Sequence, residues 1–335
     1  MNAAYNYPAR VSTRCPWNVY FDASFIFWQP LEENLELGVV NNVPTSGPAT
    51  TINGHVVAMD CDYKPGFRLG VGGFFDYDNW DTHAEYTWFH TTNHQHTSVG
   101  VSATPTQTIL PMWGNPGFTG AFVYDSARAK WHMNMDIIDL DLGRWCYVGT
   151  KLVVRPSLGA RAAFIRQNYN ITYQANSPFP DGSSTFRSSY VSSNSHSWGV
   201  GVESGLEADW LVGYGLRLFG TTEADILFTR YTSLRSHESS VSLAPSTAAL
   251  PGITIKQNKY NAVRTHVDFQ VGFGWGTYWL CNSLYTDLAL GYEFQVFFDQ
   301  NMFRHFNDDI MTANSTMSNG NLYTQGMTLK FMIQF

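Results

Sequence analysis

Charge is scarce in this chain of 335 residues: only 14% are Asp, Glu, Lys or Arg, where a soluble domain carries roughly a quarter. Long apolar runs are missing too. Nothing approaches the roughly eighteen uninterrupted apolar residues of a membrane-crossing helix, which excludes that kind of span. There is no Lys/Arg cluster, and the net charge is −7, so nucleic acid is not an expected partner. The cysteines Cys15, Cys61, Cys146 and Cys281 show neither C-x-x-C nor Cys/His spacing, so no metal is expected. No G-x-S-x-G elbow occurs, and the glycine runs G-V-G-G and G-F-G-W-G lack the following helix that a phosphate loop needs. His94 and His96 lie at i and i+2 in N-H-Q-H without a third ligand nearby. Neither an enzyme nor a cofactor is expected. The opening M-N-A-A-Y-N-Y-P-A-R has no charged n-region or apolar core, so we expect a leader already removed from an exported chain.

Aromatics, at 16%, and 28 glycines are abundant instead, and they fall into alternating runs. The clearest is Asn321 to Phe335, where Tyr323, Met327, Leu329, Phe331, Ile333 and Phe335 alternate with Thr324, Gly326, Thr328, Lys330 and Gln334. Period-two alternation of this length, ending on an aromatic, suits the closing strand of a transmembrane β-barrel. One face meets lipid and the other water. Phe331, Ile333 and Phe335 are the candidate signal for the barrel assembly machinery. Nine further runs follow the same rule: Asn18–Trp28, Val56–Tyr77, Thr82–His90, Trp131–Leu142, Lys151–Arg166, Ser197–Ala208, Tyr214–Tyr231, Val263–Trp275 and Leu284–Phe298. Short turns and long loops separate them in strict alternation, as in outer-membrane barrels. The expected fold is all-β: a transmembrane antiparallel up-and-down barrel of at least ten strands, an even number between 10 and 16. Residues 1–16 would form a periplasmic N-terminal segment and 17–335 the barrel. In Trp131–Leu142 the polar set shifts from even (His132, Asn134, Asp136) to odd (Asp139, Asp141), which predicts a bulge at Ile137–Ile138.

The same alternation assigns side chains to the lumen. The candidates are Asp22, Arg68, Glu85, Asp136, Arg155, Arg161, Glu203, Arg217, Glu223, Asp225, Arg264, Asp268, Asp287, Glu293 and Lys330. Asp139, Asp141 and Glu207 join them. Acid excess would give an open lumen a mild cation preference. The competing reading is that these charges pair across strands and line a narrow, partly filled barrel. Trp17, Trp28, Trp80, Trp88, Trp131, Trp198, Tyr231 and Trp275 would sit near the interfaces with lipid and lipopolysaccharide.

Several stretches, W-N-V-Y-F-D-A-S-F-I-F-W-Q, K-P-G-F-R-L-G-V-G, D-L-D-L-G-R, R-P-S-L-G-A-R, G-Y-E-F-Q-V-F-F-D-Q-N and the terminal L-Y-T-Q-G-M-T-L-K-F-M-I-Q-F, resemble the Legionella-type major outer membrane protein family. Its members also occur in Chlamydia-like bacteria. The resemblance runs over essentially the whole chain, weakest in the long loops. It implies an abundant porin in the outer membrane of a Gram-negative bacterium, passing small solutes and ions, with a homo-oligomer among its implications. It implies no catalytic residue. Cys15, Cys146 and Cys281 fall at the predicted periplasmic rim, and the chlamydial side of the resemblance suggests disulfides to neighbouring envelope proteins. Inert thiols, or one bond within the chain, are the alternative. The expected function is a passive diffusion channel. The other reading is a structural or adhesive barrel with an occluded lumen that acts through its loops.

Overall fold

The structure, a computed structural model, describes residues 7–9, 11–14, 17–42, 53–75, 80–100, 107–115, 124–175, 187–239, 241–243, 249–250, 252–306 and 315–335. Among them, ten long strands form the barrel. They are β1 (Val19–Glu32), β2 (Lys64–Phe74), β3 (Trp80–Ser98), β4 (Ser126–Arg144), β5 (Leu152–Ala175), β6 (Arg187–Gly213), β7 (Leu216–Glu238), β8 (Tyr260–Trp279), β9 (Leu284–Asn301) and β10 (Gly320–Gln334). Each pairs antiparallel with the next, and β10 returns to β1 from Tyr20 opposite Gln334 to Glu32 opposite Leu322. Closure is the physical requirement here, because hydrocarbon offers no partner to an open sheet edge.

The pleat sends alternate side chains out and in. On β1, Phe21, Phe25 and Phe27 are exposed while Asp22, Ser24 and Ile26 are buried. Leu158, Val202 and Phe273 lie 68%, 65% and 70% exposed on the outer face, an arrangement that only lipid makes favourable. Two glycine positions are required by geometry. Tyr214 and Gly215 both hold positive φ, 56° and 81°, in the two-residue hairpin between Gly213 and Leu216, the turn whose twist matches paired strands. At Gly70 on β2, an added Cβ would lie 2.4 Å from the His83 ring and 2.5 Å from the Asp22 carboxylate, so the absent side chain lets these two meet.

The described segments nearest the two ends lie on the short-turn side. Tyr7–Pro8 pairs with Cys146–Val148, the Arg14 N–H donates to the Asn282 carbonyl at 2.7 Å, and Gln334 Nε2 donates to the Val11 carbonyl. On the other side the wall is uneven. β5 and β6 run for 24 and 27 residues, β1 and β2 for 14 and 11. A tilted strand crosses the hydrocarbon in roughly nine to eleven residues, so β3–β7 stand well clear of it.

Three expectations of strand pattern change, and Trp28, Trp131 and Tyr231, expected near the interfaces, lie fully buried inside the barrel. Gly54–Ala58 does not continue into β2; it joins Glu36–Asn42 and Gln107–Pro111 in a separate three-stranded sheet. Alternation in Asn168–Ala175, concealed by asparagine, belongs to β5 instead of a loop. No bulge occurs at Ile137–Ile138: β4 pairs with both β3 and β5 without a register shift. A shift falls instead on β7, where Thr232 is the extra residue opposite His196/Ser197.

Candidate functional site inside the barrel

The interior divides into two storeys. On the short-turn side the inward positions are charged. Arg161 (β5) is the centre, donating to Asp139 at 2.5 Å, to Glu223 and Asp225 at 2.7 Å, and to Glu203 at 3.4 Å. The His266 ring lies 2.7 Å from the Asp225 carboxylate. Arg68 (β2) bonds Glu293 at 2.7 Å and Glu85 at 3.0 Å, and lies 5.2 Å over the Trp28 ring. Gln295 links Glu293 to Asp268. Nearer the termini, Arg155 bridges Asp81 and Asp141, Arg217 bridges Asp209 and Asp287, and Asp22 meets His83 at 2.8 Å and Lys330 at 3.5 Å. Carboxylates outnumber basic side chains throughout. Charge of this kind is not the cheapest filling, since apolar side chains of equal volume commonly stabilise as well or better.

The other storey is mostly apolar along β4 and β5, with Gln167 the buried polar exception. Met133, Met135 and Ile137 of β4, and Ile165, Tyr169, Ile171 and Tyr173 of β5, all point inward and are buried. Against them sits a plug made of the three-stranded sheet, Trp113 and the segment around Phe303. Tyr169 and Tyr173 donate to the Leu35 and Leu37 carbonyls at 3.0 and 2.5 Å. Trp113 Nε1 donates to the Glu36 carbonyl at 2.6 Å. Its ring packs edge-on to Tyr169 at 4.8 Å and against His305 at 3.9 Å. Trp113 is 1% exposed, so its burial contributes on the order of 2–3 kcal/mol. Burial also holds the His305 imidazole below its ordinary value, and, close by, pushes the Cys61 thiol up to about 12.

Fourteen of the fifteen named lumen candidates face inward: Asp22, Arg68, Glu85, Arg155, Arg161, Glu203, Arg217, Glu223, Asp225, Arg264, Asp268, Asp287, Glu293 and Lys330. Arg264 stands apart from the central cluster, beside Tyr231 and Met302. Asp136 is the correction. It faces outward, accepting from Tyr86 Oη at 2.8 Å and lying 3.1 Å from His90. His132 and Asn134 share that outer face. The pleat keeps its phase; the plug makes the inside apolar while water lies outside. Asp81 and Asp209, both buried partners of arginines, fall just beyond the expected strand ends, although extending the alternation by one step from His83 or from Glu207 reaches them.

His94 and His96 project outward and are exposed. Asp22, His83 and Glu85 could place three ligand atoms within 4.8 Å of one another, but Lys330 and Arg68 already balance these carboxylates. Cys61, Cys146 and Cys281 are free thiols; Cys146 donates to the Val154 carbonyl and Cys281 is exposed at the rim. Cys15 lies outside the described residues. Phe331 and Phe335 lie exposed on the outer face, and Ile333 shares it.

A family model described as the Legionella pneumophila major outer membrane protein precursor matches residues 12–335. No curated protein matches the chain. Among solved structures, a Pseudomonas aeruginosa FadL homologue is 8% identical, with a TM-score of 0.30 over 95% of this chain and 90% of that one. The Yersinia pestis attachment invasion locus protein Ail is 6% identical, with a TM-score of 0.23 over 94% and 98%. AlkL, an outer membrane protein solved in lipid bilayers, is 14% identical, with a TM-score of 0.27 over 82% and 95%. Likeness at this level has no bearing on function.

Proposed function

Because this chain belongs to the family of the Legionella pneumophila major outer membrane protein, and so is a bacterial outer-membrane β-barrel, we propose that it is a gated diffusion channel for ions and small hydrophilic solutes, here in its shut state. The observation that carries this is the charged storey. An excess of carboxylates around Arg161, Arg68, Arg155 and Arg217 fits a wall meant to meet water and cations better than a filler. The field of such a wall favours cations. The plug serves as the gate: it is built of loop segments, held by apolar contacts and a few hydrogen bonds, and none of its strands belongs to the barrel ring. The channel needs no cofactor and performs no chemistry. The assembly machinery, a homo-oligomer and disulfide links through the rim cysteines remain parts of this proposal that the family relationship suggests.

The second reading is a permanently occluded barrel acting through its outer loops. The buried apolar core Trp113–Tyr169–Phe303 favours it. Single-channel recording of the refolded protein in asymmetric salt separates the two. Discrete openings with a cation-selective reversal potential are expected of the gated channel. Silence from a barrel shown to be folded by its heat-modifiable migration would select the occluded reading.

A further inference from the structure

The outer wall of β3–β6 carries a polar, basic face directly above the last row of lipid-facing aromatics. Strand pairing fixes the rows. Trp88 stands opposite Asp136, Asp136 opposite Phe164 and Phe164 opposite Trp198. One pleat period further from the membrane, roughly 7 Å, the row is His90, Asn134, Arg166 and His196. Above it come Thr92, His132, Asn168 and Asn194, and then His94, Lys130, Asn170 and Ser192. Arg128 follows at the top.

An open groove of about 500 Å³ lies across these rows, with Thr92, Lys130, His132, Asn168, Asn194 and Tyr190 in its walls. The groove is pre-organised: Thr92 Oγ1 lies 2.9 Å from His132 Nδ1, and Tyr190 Oη donates to Asn170 Oδ1 at 2.9 Å. Arg128, Lys130 and Arg166 are exposed around it. The described rows of this face above the aromatic one hold no carboxylate, and Asp136, within the aromatic row, is engaged by Tyr86 and His90. A basic face is unexpected on a chain of net charge −7. The interior channel does not require it, since it lies on the opposite side of the sheet.

We propose that this groove binds the phosphorylated saccharide headgroup of an outer-leaflet glycolipid. Position selects the ligand. The groove opens sideways just above the lipid belt, so a lipid whose acyl chains lie along Phe164 and Trp198 presents its headgroup to it. Chemistry agrees: asparagine amides, hydroxyls and imidazoles suit sugar hydroxyls, and the arginines and lysine suit phosphates.

The test uses the full chain refolded into phosphatidylcholine vesicles containing bisphosphorylated lipid A with its inner-core sugars, or the same glycolipid dephosphorylated. Glycolipid retained per barrel is read by native mass spectrometry. Replacing Arg128, Lys130 and Arg166 by Gln is expected to weaken retention about a hundredfold, at roughly one unit of surface-charge attraction per residue removed. The same charge change at exposed positions elsewhere, Arg14→Gln with Lys151→Gln and Lys259→Gln, should alter it by less than about threefold. Ser192→Lys, which adds charge within the groove, should tighten it about fivefold, and keeps the test decisive should the triple variant fail to fold. Equal losses in the two triple variants, equal retention of the dephosphorylated glycolipid, or preferential capture of a soluble sulfated polysaccharide would each overturn the proposal.

Discussion

Two stretches of one strand make the instructive comparison. On β4, Asp139 and Asp141 point into the barrel and Ile138, Leu140 and Leu142 point to lipid; a few residues earlier, Met133, Met135 and Ile137 point in while His132 and Asn134 point out. β5 repeats it, with Arg155 and Arg161 inside below and Ile165 to Tyr173 inside above. Backbone geometry is the same in both storeys, and what changes is the surroundings on each side. Below, lipid lies outside and a charged lumen inside; above, water lies outside and the plug inside. Polarity therefore reports the solvent of a face, and inside and outside follow only once the height in the membrane is known.

The largest expected effect strikes the charged storey. Arg161→Met leaves Asp139, Glu203, Glu223 and Asp225 facing one another in a buried space. It should cost about 3–5 kcal/mol, read from the urea midpoint of unfolding in vesicles. A change below about 1 kcal/mol would show that this storey does not depend on its central cation.

Trp113→Ala strikes the other storey. A loss of about 3–5 kcal/mol is expected at a buried tryptophan, falling on plug docking while the ring of strands persists. Rapid protease cleavage within residues 36–59, with the heat-modifiable band retained, is the predicted pattern. Simultaneous loss of both would mean that plug and barrel form one unit.

Neighbouring acids on opposite faces sharpen the contrast further. Asp139→Asn should reduce cation preference measurably in the reversal potential, because it removes charge from the lumen wall. Asp136→Asn should leave it unchanged, since that carboxylate lies outside with Tyr86. Equal effects would contradict the inward and outward assignments.

The smallest effect concerns pH. The His305 imidazole is held below its ordinary value by burial in the plug, so the undocked plug binds a proton more readily than the docked one. Its contribution to docking is complete above about pH 6.5 and declines as pH falls below that value. Protease cleavage within residues 36–59 should accelerate a few-fold between about pH 7.5 and about pH 5, and His305→Gln should flatten that dependence.

The ten strands, their closure and the inward placement of Arg161, Arg68 and Glu293 were legible because lipid imposes a period-two pattern that few other environments impose. Reading Asp136 inward failed for a physical reason. A pattern shift between Asp136 and Asp139 has two sources, an extra residue or an exchange of solvents, and the chain alone shows only the shift. The plug was hidden because it consists of loop segments whose partners lie far away in sequence, as with Leu37 and Tyr173. Trp113, in a Pro/Gly-rich stretch, gave no periodicity from which to place it. Tyr169, Ile171 and Tyr173 did alternate, but Asn168, Asn170 and Thr172 beside them resembled a loop.

The most direct test is the fraction of time spent conducting, compared between the native protein and Trp113→Ala in the same planar bilayer and asymmetric salt. If the plug gates a charged channel, the native barrel is mostly silent, the variant conducts for much of the record, and both show the same cation-selective reversal potential when open. If the variant has lost its plug by proteolysis, keeps a folded barrel and still carries no current, the charged storey is a filled wall and the channel account fails.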